Sequence, residues 1–329
     1  MADDNVEIDG DVWDGVTITQ PTKLVEKDGV FFYEISTCAE LAYISHEGGE
    51  WLSGNYILTN NLIINDVIIE CDENGNCMNV DKLYQWMPIG YFTGKFYGNG
   101  YVISGIYISE NSDYTALFGR IDNNASIDNV VMINSYIKGN NNVGGIIGYN
   151  DGALVKDCVN SATVVATGEN VGGICGKSHN TSYYDHSISS CINHGNIFGI
   201  GENIGGIVGT SQRDDIIRCF NSGTLMTTSN YIGGIVGNAL TYPEIIECYN
   251  SGAINGMDYI GGICGKISGE SYYNGGLLNC YNNGNVFGND CVGGITGYSF
   301  YGKTNNCYNM GYIQGHSNVG NIIGYTDSF

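Results

Sequence analysis

Ile232-Gly233-Gly234-Ile235-Val236-Gly237 is one copy of a block, apolar-Gly-Gly-Ile-x-Gly, that recurs along the chain. The first glycines of the copies stand at positions 144, 172, 205, 233, 261, 293 and 320, and the last copy carries Asn321 in place of the second glycine. A second block, Cys-x-Asn-x-Gly-x-apolar, begins at positions 158, 191, 219, 248, 280 and 307. Two motifs that keep a common period of 27 to 33 residues indicate stacked repeats.

The repeat unit is too small to fold alone. A unit of about 28 residues with two short strands and no helix cannot enclose a core, whereas stacked units bury a continuous one. The repeats therefore predict an all-β fold, a parallel β-solenoid with rungs roughly 4.8 Å apart. Composition agrees, because 50 Gly among 329 residues favour short strands and tight corners over helices.

Two columns of repeated residues are predicted to be structural. Period-2 alternation with polar neighbours points the motif cysteines into the core, and stacked Asn amides can bond one another at a turn. Parallel Cβ atoms at the rung spacing lie too far apart for disulfides, so we expect a reduced cysteine ladder, with only Cys71 and Cys77 free to pair. The two ladders are Cys158, Cys191, Cys219, Cys248, Cys280 and Cys307, and Asn160, Asn193, Asn221, Asn250, Asn282 and Asn309.

The N-terminal third carries different signals. Thr37 and Glu40 form a capping box, and apolar residues predict a helix over 38–46 that covers the open end of the solenoid. Strands are predicted at 56–59 and 62–69. We divide the chain into an acidic extension or strand at 1–30, a cap with the first rungs at 31–110, and regular rungs at 111–329. The last two parts form one continuous solenoid domain.

Residues 86–106 add a further signature. It reads Trp86-Met87-Pro88-Ile89-Gly90, followed by Phe92-Thr93-Gly94-Lys95-Phe96-Tyr97-Gly98-Asn99-Gly100. With the Gly-Gly rungs, this pattern resembles the GLUG-repeat, adhesin-like proteins of bacterial surfaces over about residues 30–329. The resemblance implies a right-handed β-helix in secreted or cell-wall proteins, including adhesins and modules of IgA-directed peptidases, and it transfers no catalytic residues. Asn61 departs from the acid that the family usually has there.

Charge and terminal segments narrow the class of protein. Twelve Lys plus Arg against 34 Asp plus Glu give a net charge of −22, which argues against nucleic acid as a partner. No apolar stretch is long enough for membrane insertion, and Met1 to Asp4 resembles the mature end of a trimmed secretory precursor. We expect a secreted or cell-surface protein of a bacterium, and the reduced cysteines favour an anaerobic one. Residues 324–329 end within a rung, which favours further domains in a longer parent chain.

Two sets of outward aromatic residues are candidate binding sites. Phe220, Tyr249, Tyr281 and Tyr308 form a stripe whose rings either stack on one another or offer a flat strip to sugars or a partner chain. Two loops, 179–186 and 268–275, recur 89 residues apart and carry Tyr183 with Tyr184 and Tyr272 with Tyr273. They are either binding loops or plain variations in length.

A column of carboxylates is the remaining candidate. Glu169, Glu202, Asp258 and Asp290 are either solvated or bridged by Ca²⁺; no other cofactor is expected. The leading hypothesis is a non-enzymatic adhesive or spacer module that binds glycan or host protein through the stripe or the paired loops. The alternative is a polysaccharide lyase or glycoside hydrolase on a β-helix that uses these carboxylates.

Overall fold

The computed structural model describes residues 8–180, 187–269 and 275–327, except the side chains of Trp51 and Ser187. These residues form a parallel β-solenoid with one α-helix, Cys38–Glu47, near the N-terminus, so the predicted fold class is confirmed. Two 3₁₀-helices lie at Gly49–Ser53 and Val80–Lys82. Tyr183, Tyr184, Tyr272 and Tyr273 of the predicted binding loops lie outside the described residues.

Each full turn of the solenoid contains five short strands, where the repeat pattern predicted two. The five strands of a turn belong to five sheets, which we number I to V in the order in which a turn visits them. Sheet I contains Val143–Gly144, Val171–Gly172, Ile204–Gly205, Ile232–Gly233, Asp258–Gly261, Asp290–Gly293 and Ser317–Gly320. Sheet II contains Ile89–Phe92, Phe118–Asp122, Ile147–Asp151, Cys175–His179, Val208–Gln212, Val236–Leu240, Cys264–Ser268, Thr296–Phe300 and Ile323–Asp327.

Sheets III to V complete each turn. Sheet III contains Leu24–Lys27, Val30–Ile35, Tyr56–Leu58, Lys95–Tyr97, Ser126–Asp128, Leu154–Lys156, Ser187–Ser189, Asp215–Ile217, Glu244–Ile246, Gly276–Leu278 and Lys303–Asn305. Sheet IV contains Asp11–Val12, Leu62–Ile63, Val102–Ser104, Val131–Ile133, Val159–Asn160, Ile192–Asn193, Phe220–Asn221, Tyr249–Asn250, Tyr281–Asn282 and Tyr308–Asn309. Sheet V contains Tyr107–Ser109, Tyr136–Gly139, Thr163–Ala166, Ile197–Gly199, Leu225–Thr227, Ile254–Asn255, Val286–Phe287 and Ile313–Gln314.

Left-handed corners explain why the strands are so short. The residue before each ladder cysteine has a φ between +50° and +55°, as at Asp157, Arg218 and Asn306. We expected these residues to alternate with the cysteines along a strand, and that expectation is wrong. The chain turns at this residue, and the turn directs the following cysteine into the core.

The N-terminal helix covers the first turn, as predicted. Thr37 caps it, and Glu40 completes the capping box. Its apolar face, which includes Leu41 and Ile44, is buried in the same core that fills the solenoid. Ahead of the helix, Leu24–Lys27 and Val30–Ile35 form an antiparallel hairpin that joins sheet III.

The second strand predicted in this region is much shorter than expected. Only Leu62–Ile63 of the predicted segment 62–69 pairs in a sheet. Asp66 and Ile68 are exposed, so the alternation of residues 66–69 does not face a core. Among the described residues, no helix is long and apolar enough to cross a membrane.

Candidate functional site

The motif asparagines form one column inside the rod. The Nδ2 atom of each donates to the Oδ1 atom of the next at 2.7–2.9 Å. The other Nδ2 hydrogen bonds the carbonyl two residues on, as in Asn221 to Gly223 at 3.0 Å. Asn309 donates in turn to Asn321 at 3.1 Å, so the residue that replaces the second motif glycine extends the ladder.

The motif cysteines form a parallel column beside the asparagines. Five of the six are buried, and Cys307 is partly exposed. Each thiol donates to the carbonyl oxygen two residues earlier, at 3.2–3.5 Å. Burial raises the pKa of Cys191 and Cys248, which keeps these sulfurs protonated and unreactive at neutral pH. Their arrangement is that of small apolar side chains packed in a core.

Thiol counting checks whether the ladder is reduced. All 12 cysteines are free thiols in the structure, and Cys71 faces Cys77 across an antiparallel bridge. We expect every cysteine except this facing pair to react with a thiol reagent after denaturation without reductant, since each ladder thiol already bonds its own backbone. Protection of any ladder thiol in the denatured chain would contradict this expectation.

The aromatic stripe is present, and its rings stack face to face. The ring centroids of Phe220 and Tyr249 lie 5.0 Å apart, those of Tyr249 and Tyr281 4.9 Å, and those of Tyr281 and Tyr308 4.3 Å. Stacking covers the ring faces inside the column and leaves their edges outward. Tyr308, which is 55% exposed, ends the stack. The stripe therefore offers a partner the edges of its rings, and ligand binding by the stripe stays a prediction.

The predicted carboxylates share one column at the start of sheet I. Asp258 and Asp290 are register partners on adjacent turns, and Glu169 and Glu202 stand at the equivalent position on earlier turns. Asn230 separates the two pairs and donates to Glu202 at 3.2 Å. In the described part of the chain, no three His, Cys, Asp or Glu side chains lie close enough to share a metal ion.

Protein donors already engage the later carboxylate pair. Asp258 accepts from the Asn289 side chain at 3.0 Å and from the backbone N–H of Asp290 at 3.1 Å. Asp290 accepts from Ser317 at 2.6 Å and from Asn318 at 2.8 Å, and these bonds hold the pKa of its carboxyl below the ordinary value. These contacts fit hydrogen-bonded surface carboxylates, and Ca²⁺ binding stays a prediction.

Two further columns face each other, one at the left-handed corner where each sheet I strand begins and one on sheet II, and the sequence reasoning missed them. The corner column is the residue before each Gly-Gly block, together with Tyr114, which stands at the equivalent position one turn earlier; its φ lies between +49° and +63°. It reads Tyr114, Asn142, Asn170, Asn203, Tyr231, Tyr259, Cys291 and Asn318. The strand column is the third residue of each sheet II strand and reads Tyr91, Arg120, Tyr149, Lys177, Thr210, Asn238, Lys266, Tyr298 and Tyr325.

Toward the C-terminus these columns enclose a groove of about 330 Å³, which we call the tyrosine groove. Tyr231 stacks on Tyr259 with centroids 5.0 Å apart, and Tyr298 on Tyr325 at 5.9 Å. Tyr259 meets Tyr298 edge to face at 5.6 Å. The full lining is Tyr231, Tyr259, Lys266, Asp290, Cys291, Tyr298, Asn318, Tyr325 and Asp327.

Charged groups lie against these rings. The ammonium of Lys266 is 5.2 Å from the centroid of Tyr231 and 6.0 Å from that of Tyr298. The Tyr298 hydroxyl donates to Asp327 at 2.8 Å; burial, aided by this bond, raises the pKa of Tyr298 to about 12. Tyr-Ile-Gly-Gly at 231 and 259, and Gly-Tyr at 297 and 324, were the signals in the sequence. These tyrosines are far apart in the sequence, and only the folded corner brings them into one groove.

A larger cleft of about 440 Å³ lies near the N-terminus and contains three of the chain's 12 basic residues. Lys27 lies 3.6 Å from the centroid of the Tyr97 ring, and Lys156 pairs with Asp128 at 3.0 Å. Lys95 is the third lysine of the lining. Two of the three ammonium groups therefore already have partners within the protein.

Comparison with known proteins agrees with the geometry. The GLUG motif matches residues 139–165 and 228–255. Halomucin of Haloquadratum walsbyi is 34% identical over 101 residues, which are 30% of this chain and 1% of Halomucin. A crystal structure from Bacteroides ovatus, of a protein provisionally named an immunoglobulin A1 protease, has a TM-score of 0.53 at 18% identity. The match covers 87% of this chain and 77% of that one, and at this identity it shows the fold alone.

These matches confirm the resemblance to GLUG-repeat proteins for the repeated motif itself. Both matched segments span a Gly-Gly block and the following Cys-x-Asn block, so the motif is the unit that builds one turn. The chain is a parallel β-solenoid that carries the GLUG motif.

Proposed function

We propose that the chain is a non-enzymatic module at a bacterial surface or in a secreted protein, which acts as a rigid spacer and binds glycan or host protein. The observation that carries this proposal is the unbroken register of the stack. Sheets I to V run through consecutive turns, and the asparagine ladder bonds each turn to the next. Such a rod holds outward side chains at fixed spacing, which suits repeated contacts with a polymer or a surface.

The pKa of Asp290 argues against one catalytic role for this carboxylate. Glycoside hydrolysis uses one carboxyl as a proton donor near neutral pH, so its pKa has to be raised. Hydrogen bonds from Ser317 and Asn318 instead lower the pKa of Asp290. Such a carboxylate stays ionised near neutral pH, so Asp290 is unsuited to the role of the proton donor.

An array of oligosaccharides and host surface proteins, run beside an assay of reducing-sugar release, tests the proposal. We expect the full chain to be retained by at least one ligand without releasing sugar from any polysaccharide. Release of reducing ends would support the hydrolase or lyase alternative. Retention by none of the ligands would contradict the binding role.

A further inference from the structure

We propose that the tyrosine groove is a binding site for an uncharged pyranose glycan. This inference rests on the binding role proposed above and assigns it to a surface other than the aromatic stripe. It follows from the contacts, the shape and the charge of the groove.

The backbone of the corner column makes tyrosine an unfavourable choice. A left-handed φ suits Asn far better than a bulky side chain, and Asn occupies the column at positions 142, 170, 203 and 318. Tyr231 and Tyr259 nevertheless have φ values of +62° and +60°. Bulky residues hold the same conformation at other corners of the chain, as at Arg218 and Glu247. What is specific to this corner is that its tyrosines bring four rings and one ammonium group into contact.

The middle turns show what the same corner looks like without tyrosines. There each corner residue bonds the strand-column residue one turn further on. Asn170 accepts from Thr210 at 2.7 Å, and Asn203 accepts from Asn238 at 3.0 Å. These bonds join the two columns. The tyrosine groove opens where the chain has replaced this polar contact by aromatic rings.

The shape of the groove suits a sugar ring. Its volume of about 330 Å³ is at the lower end of the range for small-ligand sites, roughly 300–1,000 Å³. After Tyr259, the corner column continues with the smaller residues Cys291 and Asn318, which also line the groove. Stacking covers the inner ring faces of the groove as it does in the stripe, but Tyr325, which is 42% exposed, ends its column. A pyranose ring can pack its C–H face on this terminal ring, as other apolar groups do.

The charges decide between ligand classes. A cation would be drawn to a tyrosine-lined site, but the ammonium of Lys266 already occupies the cation position between Tyr231 and Tyr298. An acidic sugar would meet Asp290 and Asp327 against this single ammonium, on a chain of net charge −22. Sugar hydroxyls both donate to carboxylates and accept from an ammonium, so an uncharged glycan satisfies all three groups.

Variants taken from the chain's own columns test this inference. Tyr259→Asn with Tyr298→Asn installs the residue that each column has on other turns, as at Asn203 and Asn238. The matched control is Tyr249→Val with Tyr281→Ile in the stripe, which copies Val159 and Ile192 of earlier turns. Both double variants therefore introduce only residue types that the solenoid already accommodates at equivalent positions. Far-UV circular dichroism checks that the variants fold.

The probe is an array that displays neutral, sialylated and uronate-containing oligosaccharides side by side. We expect the unaltered chain to bind neutral glycans, the groove variant to bind them at least about tenfold more weakly, and the stripe variant to bind them unchanged. Full binding by the groove variant, with loss in the stripe variant, would overturn this inference and leave the proposed function standing. A preference for sialylated or uronate glycans would overturn the charge argument. Binding to no oligosaccharide of this array would reject the glycan site. The proposed function itself would be rejected only if the host surface proteins of the first array also failed to retain the chain.

Discussion

Replacing Asn221 by leucine is expected to lower the free energy of unfolding by about 4 kcal/mol. Asn221 is fully buried in the middle of the asparagine ladder. Its amide accepts from Asn193 at 2.8 Å and donates to Asn250 at 2.8 Å and to the carbonyl of Gly223 at 3.0 Å. Leucine has a similar volume but removes all three bonds at once. Each buried group left without its partner costs about 1–3 kcal/mol, so the total is large for one substitution.

Urea denaturation followed by far-UV circular dichroism measures this change. Asn283→Leu is the matched control, because Asn283 follows a ladder residue but its side chain is exposed. We expect the control to change the free energy of unfolding by less than about 0.5 kcal/mol. Amide hydrogen exchange should show the loss of protection centred on the turns that contain Asn193, Asn221 and Asn250. A loss below about 1 kcal/mol for Asn221→Leu would show that the ladder does not stabilise the rod.

The ladders could be predicted from the sequence because they are periodic. Cys219 and Asn221 recur with the same spacing on turn after turn, and a parallel stack converts equal spacing into columns. The capping helix could be predicted as well, since Thr37 and Glu40 carry a local signal that needs no knowledge of the rest of the fold. In both cases the information lies either in a short segment or in a strict repeat.

The tyrosine groove could not be predicted in the same way. Tyr231 and Tyr259 belong to one column and Tyr298 and Tyr325 to another, and no single motif position contains all four. They meet because the chain turns left-handed at the corner residue, and tyrosine is a residue from which that conformation is not expected. The five-stranded turn was missed for a related reason: strands of two or three residues are too short to show alternation.

A glycine of the Gly-Gly block reveals how closely the turns pack. A methyl group at Gly234 would overlap the carbonyl oxygen of Gly262 on the next turn and the amide group of Asn250 in the ladder. The backbone of Gly234 is not left-handed, so the requirement is for space rather than for an unusual φ. Asn321 stands at the equivalent position of the last block and carries a side chain there, because its own amide takes the next place in the ladder.

Gly234→Ala is therefore expected to destabilise the solenoid by about 3 kcal/mol or more, since relief of the overlap would have to move either a backbone strand or the ladder. Gly90→Ala is the control: its nearest atom is the Cδ1 of Leu52 at 3.8 Å, an ordinary contact, and we expect a change below about 0.5 kcal/mol. Both variants are compared with the unaltered chain by urea denaturation. Equal stability of Gly234→Ala and Gly90→Ala would contradict this expectation. It would mean that adjacent turns are not in the close contact that the asparagine ladder requires. The proposal of a rigid rod with fixed side-chain spacing would then lose its basis.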